Sequence, residues 1–162
     1  MRKIILITAI TAISSQAMAS SIAANFQANA IVNASCSVSA TNVALGELTP
    51  SQSGTTSKYG FIGATCTNGT SYSLALSTGS SGSFAERKMV GSIAGNTDTL
   101  AYNLYTDSAN PVVFGDGSEG TQMINLTGMT RSILTRIRVK MPSNQYIKPD
   151  TYTDNITVTL TY

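Results

Sequence analysis

The chain has 162 residues, with ten Lys or Arg, eight Asp or Glu and no histidine. A length of this order fits one domain. Without histidine the commonest general base, the usual zinc ligand and the Ser-His-Asp triad are all excluded, and the near-balanced charge argues against nucleic acid, whose binding needs clustered positive charge.

Arg2 and Lys3 precede an apolar run, residues 4–13, interrupted only by threonines, and Ala17-Met18-Ala19 follows as a small-x-small site. This is the pattern of a secretory leader, predicted as residues 1–19 with cleavage after Ala19. The run is too short to span a bilayer. Removing Arg2 and Lys3 leaves as many basic residues as acidic ones, and a mature net charge of zero favours self-association.

Residues 22–34 come next. Their even positions are Ile22, Ala24, Phe26, Ala28, Ala30, Val32 and Ala34, an unbroken apolar face. The odd positions are Ala23, Asn25, Gln27, Asn29, Ile31 and Asn33, mostly polar. Period two with one apolar face predicts a strand. It contains no Gly, Pro or charge, so it has to be covered by its own domain or it pairs with another chain.

Cys36 and Cys66 are the two cysteines. In an exported chain they predict one intramolecular disulfide; the alternatives are free thiols or an intermolecular bridge. Further short strands are expected at residues 43–48, at 58–66, and along Tyr72, Leu74 and Leu76. Asn68-Gly69 reads as a hairpin turn between the last two. Residues 87–90 and the alternation of Leu100, Tyr102 and Leu104 suggest two more, and residues 111–114 a short edge strand, because Pro111 cannot complete a central ladder. Ile133, Thr135, Ile137, Val139 and Met141 alternate with Leu134, Arg136, Arg138 and Lys140. The final alternation carries Tyr152, Ile156, Val158, Leu160 and Tyr162 against threonines. No window holds an amphipathic helix of three turns, and many short strands with regular turn signals mean an all-β sandwich or barrel.

Signals for chemistry are weak. With both cysteines bonded no thiolate nucleophile remains, and no paired carboxylates of the glycosidase kind stand out; the chain does not read as an enzyme, and neither a cofactor nor a small-molecule substrate is expected. Gly115-Asp116-Gly117-Ser118-Glu119-Gly120 matches G-x-G-x-x-G. A dinucleotide would need a helix to follow, and Asp116 and Glu119 would repel phosphate, so the stretch reads as a wide turn; a weak calcium site there lacks EF-hand spacing. Arg136, Arg138 and Lys140 on one strand face read as solvated charges that discourage edge pairing, more than as a partner contact. Four Asn-x-Ser/Thr matches are of the frequency expected by chance in so Asn- and Thr-rich a chain.

Several stretches resemble the spore coat protein U family, which includes subunits of archaic chaperone–usher pili of the Csu type. They are Cys36-Ser37-Val38-Ser39 with Leu45-Gly46; residues 65–72 around Cys66; residues 98–107, which contain Leu100-Ala101-Tyr102-Asn103-Leu104-Tyr105; Phe114-Gly115-Asp116-Gly117; and Tyr152-Thr153-Asp154 leading to Leu160-Thr161-Tyr162. Leu45 stands where the family often has Phe, and Lys148-Pro149-Asp150-Thr151 replaces a common Gly. The resemblance implies an incomplete immunoglobulin-like β-sandwich, residues 35–162, with an N-terminal donor-strand arm, residues 20–34, that fills the gap in a neighbouring subunit. The seven even positions of residues 22–34 would be the inserted face. It also implies a periplasmic chaperone, an outer-membrane usher and a place on the cell surface in a pilus supporting adhesion and biofilm formation. Tyr152, Ile156, Val158, Leu160 and Tyr162 would form the groove edge and the chaperone contact. The competing expectation is a self-complete secreted sandwich, a coat or ligand-binding protein, with the first strand in its own sheet.

Overall fold

The computed structural model describes residues 18–49, 54–107, 112–128 and 132–162. The predicted leader lies outside these apart from Met18 and Ala19. Residues Met1–Ile31 and Val32–Tyr162 separate as two units.

Within the first unit no strand is assigned to the described residues; Ile22 is 97% and Phe26 93% exposed. The apolar alternation is there, but a strand exists only when a second edge supplies its ladder, and no register pairing involves this segment.

Among its described residues the second unit holds nine strands, β1 (Cys36–Ala40), β2 (Thr56–Cys66), β3 (Ser71–Leu76), β4 (Arg87–Gly91), β5 (Thr99–Thr106), β6 (Ile124–Thr127), β7 (Ile133–Met141), β8 (Tyr152–Thr153) and β9 (Val158–Thr161), and one 3-10 turn at Gly79–Ser81. These strands pair antiparallel, in the orders β1-β2-β7-β5-β4-β8 and β6-β3-β9. β5 changes partner midway: Thr99 to Tyr102 pair with β4, and Asn103 to Thr106 with β7. Alternation then sorts each strand's side chains. Ile62 and Ala64 of β2, Tyr72, Leu74 and Leu76 of β3, Leu100, Tyr102 and Leu104 of β5, and Ile137, Val139 and Met141 of β7 meet in one core together with Phe114. This is the expected all-β sandwich, two antiparallel sheets around a single core.

Four local expectations change. Residues 67–70 do turn, with Thr70 N–H donating to Thr67 O at 3.1 Å and Gly69 at φ +81. They form no hairpin, however: β2 and β3 belong to different sheets, so the turn is a corner. Residues 43–48 make no strand; Val43 and Leu45 instead pack their side chains against the core while the backbone goes unpaired. Of residues 111–114, Pro111 lies outside the described residues, and Phe114 is fully buried rather than at an edge, because residues 112–114 fold back on the end of β5. The last alternation is two strands, since residues 154–157 leave the ladder between β8 and β9. Cys36 and Cys66 are bonded to each other and are register partners at the β1–β2 junction.

Candidate functional site

Both sheets end in a free edge on the same side. Among the described residues β1 has β2 on one flank only, β9 has β3 on one flank only, and the two edges lie against each other. Beyond β1 the chain keeps one tie, Thr41, whose N–H donates to Phe61 O at 2.9 Å and whose Oγ1 accepts from Phe61 N–H at 3.0 Å. Residues 42–45 then run unpaired opposite residues 154–158, and between them opens a cavity of about 260 Å³. Its floor is Ile62, Leu76, Leu104, Ile137 and Val139; its walls include Val43, Leu45, Ile156 and Val158.

The burial pattern says that this cavity is a gap in the core rather than a surface dent. The inward positions of β2, β3, β5 and β7 flanking it are buried, whereas Ile156, Val158 and Leu160, inward positions of the last segment, stay half-buried. They face the core but lack a cover. An apolar groove with unpaired main chain at its lips is what an added β-strand satisfies, its N–H and C=O groups completing the ladder and its alternate side chains filling the floor.

The groove has one polar end. Asp154 is in its lining, as is Tyr102, whose hydroxyl donates to Asp154 Oδ2 at 2.6 Å. Asp154 Oδ1 accepts from the N–H and the hydroxyl of Ser80 at 2.8 and 2.7 Å. Gly79 sits at φ +68, where any Cβ would collide with the Asp154 carboxylate, so this close approach requires glycine. Behind lies Arg87, 0% exposed. Its guanidinium donates to Ser77 O (3.0 and 2.8 Å), Phe114 O (2.8 Å) and Asn103 Oδ1 (2.6 Å). Burial pushes its pKa down, opposed by Tyr102 and Asp154 nearby. Tyr102 is pushed upward by burial first and then by its bond to Asp154, so it stays a neutral donor.

The predicted C-terminal residues divide. Ile156 and Val158 line the groove; Leu160 packs half-buried on the core; Tyr152 sits in β8 with its hydroxyl on Lys148 O at 2.8 Å; and Tyr162 is exposed. The predicted arm positions Ile22, Ala24, Phe26, Ala28, Ala30, Val32 and Ala34 are all exposed. Sequence reasoning missed the floor as a set, because its residues come from β2, β3, β5 and β7, and it missed Arg87, which reads as an ordinary strand-end charge. Its one sequence signal is a short polar set, Asn103 and Asp154, in the stretches shared with the family.

Two other sequence motifs resolve simply. Residues 115–120 are a wide turn, Asp116 Oδ1 accepting from Ser118 N–H at 2.9 Å, and a strand, β6, follows where a dinucleotide site needs a helix. Arg136 and Arg138 both pair with Asp107 and lie over the Tyr59 ring, 4.9 and 5.4 Å from its centre, and Lys140 lies over Tyr105 at 5.0 Å. Among the described residues no group of three or more Cys, Asp or Glu is placed to hold a metal ion.

The described residues thus form a disulfide-stapled β-sandwich with an apolar groove open along one side. The model of the spore coat protein U domain matches residues 22–159, and the chain belongs to that family. No curated protein is significantly similar in sequence. Among solved structures, a chain of the CsuC–CsuE chaperone–tip adhesion subunit pre-assembly complex from the archaic chaperone–usher Csu pili of Acinetobacter baumannii shares the fold, with a TM-score of 0.57 at 20% identity, covering 81% of this chain and 40% of that one. A chain from a chaperone–tip adhesin complex of CFA/I fimbriae biogenesis is a looser match, with a TM-score of 0.49 at 17% identity over 76% of this chain and 41% of that one. This chain thus spans about two-fifths of the length of either neighbour.

Proposed function

We propose that the protein is a structural, non-enzymatic subunit of a chaperone–usher pilus of the archaic Csu type, polymerising by donation of residues 20–34 to the groove of the next subunit. The observation that carries the reading is the pairing of an uncovered apolar cavity, with half-buried Ile156, Val158 and Leu160, and an exposed segment of matching period. Phe26 and Val32 are the larger plugs, each stabilising by roughly 1.5–3 kcal/mol when fully buried, and each alanine contributes about one methyl's worth. Because donor and acceptor are different surfaces, the contact is heterologous and builds an open filament.

Before assembly the same groove is an exposed apolar patch, a liability that a periplasmic chaperone covers, with the exposed Tyr162 as a second point of grip. An outer-membrane usher then passes subunits to the cell surface, where the fibre supports adhesion and biofilm formation. Membership of the spore coat protein U family and the shared fold with the Csu complex support this reading.

Deletion of residues 20–34 tests it. The truncated protein should still co-purify with its chaperone but lose the ladder of detergent-resistant polymers on unboiled gels. Normal polymerisation without the arm would overturn the proposal, and loss of the subunit's own fold would favour the self-complete secreted domain.

A further inference from the structure

The disulfide occupies a particular place in the order of the chain. Cys36 is the first residue of β1, directly after the exposed segment, and Cys66 is the last residue of β2. Thr67 adds to the same point: its N–H donates to Ser35 O at 2.9 Å, its Oγ1 accepts from Ser35 N–H at 3.1 Å and donates to Asn33 O at 3.2 Å. Every one of these fixings falls within residues 33–36. After them come the remaining residues of β1, 37–40, paired on one side only, and then at once residues 41–45, part of the groove's wall.

If residues 20–34 are held by a neighbour, tension along a fibre enters the subunit at residue 35. With hydrogen bonds alone at the root, that load would run through β1, a sheet edge, to the wall of the subunit's own groove. Pulling the wall away would release the next subunit's arm. β2, by contrast, is held on both flanks, by β1 and by β7. A covalent link from Cys36 to Cys66 carries the load into this interior strand before it passes along the rest of β1.

We propose that the Cys36–Cys66 disulfide, seconded by Thr67, is a mechanical shunt that keeps tension on the donor arm off residues 41–45, so that donating a strand does not loosen the grip on the one accepted. The inference rests on the donor-arm reading and adds a load-bearing role that unloaded stability does not require.

Preformed fibres of the full mature chain, stretched between a surface and a force probe before and after dithiothreitol, test it, with thiol labelling to establish complete reduction. Reduced fibres should part at markedly lower force, by release of intact subunits, yet stay polymeric on unboiled gels when unloaded. The Cys36→Ala, Cys66→Ala double variant makes the same comparison without reductant, and Thr67→Val should lower the rupture force of reduced fibres further. Equal rupture forces with and without the bond would overturn the shunt, as would reduced fibres that fall apart unloaded. Oxidised protein that forms no fibres would overturn the donor-arm reading and the shunt with it.

Discussion

At the scale of single residues, the least expected feature is a cation in the core. Arg87 has no carboxylate in contact; its charge is spread over two backbone carbonyls and the Asn103 amide oxygen, and its guanidinium lies 5.2 Å over the Phe84 ring. The planar fork suits three acceptors from three separate segments, which an ammonium cannot reach together. Asn103 returns the favour to the loop before β4, donating to Phe84 O at 2.8 Å. Arg87→Ala should therefore cost about 3–5 kcal/mol, since it strands several buried acceptors, and Arg87→Lys should restore less than half; thermal unfolding of the assembled protein measures both. Asp150 is a half-buried anion held by hydrogen-bond donors. Desolvation pushes its carboxyl up, but donors from Asn96, Ile93, Ser92 and Thr151 outweigh this and hold it well below the usual carboxylate range. A depressed folded-state value means that its stabilisation is complete above the unfolded pKa of about 3.9 and is lost as pH falls below it towards the folded value. The Ile93 amide resonance should stay native through the range in which ordinary carboxylates titrate and shift only in stronger acid. In Asp150→Asn it should be displaced already at neutral pH.

At the scale of elements, edges decide the outcome. β5 pairs with β4 in its first half, and there its other flank is occupied by the side chain of Gln145, which donates to Ala101 O at 2.8 Å and accepts from Ala101 N–H at 2.6 Å. One amide thus stands in for a strand and blunts an edge. Among the described residues β1 and β9 carry no such device. The arm's two faces should then differ sharply. Phe26→Ala removes a plug and should weaken subunit joining by about 3–5 kcal/mol, the usual cost of losing a buried Phe, seen as a lower temperature for polymer dissociation in detergent. Gln27→Ala, on the opposite face, should leave that temperature unchanged. Equal effects at both positions would contradict the period-two insertion.

At the scale of the whole molecule, the proposed strand donation makes the stability of the sandwich depend on what fills its groove. A synthetic peptide of residues 22–34, added while the arm-deleted protein refolds, should raise its melting temperature progressively with peptide concentration. A scrambled peptide of the same composition should not. A melting temperature indifferent to the peptide would mean that the groove has no affinity for this sequence.

Much of this was legible in the chain itself. Period two in residues 58–66, 72–76, 100–104 and 133–141 specified strands and their inward faces, because alternation is a local property of the backbone. Two cysteines in an exported-type chain pointed to the bond now seen between Cys36 and Cys66. The apolar arm announced itself as something needing a cover. Only the tertiary structure decided what each strand pairs with. It turned Asn68-Gly69 from a hairpin into a corner between sheets, set the unpaired residues 42–45 across a cavity from residues 154–158, and drew Arg87 inside. The physical reason is the same in each case. A side chain's face follows from its neighbours in sequence, but a ladder partner or a buried acceptor comes from residues tens of positions away, and no local pattern encodes which edge will be left without one.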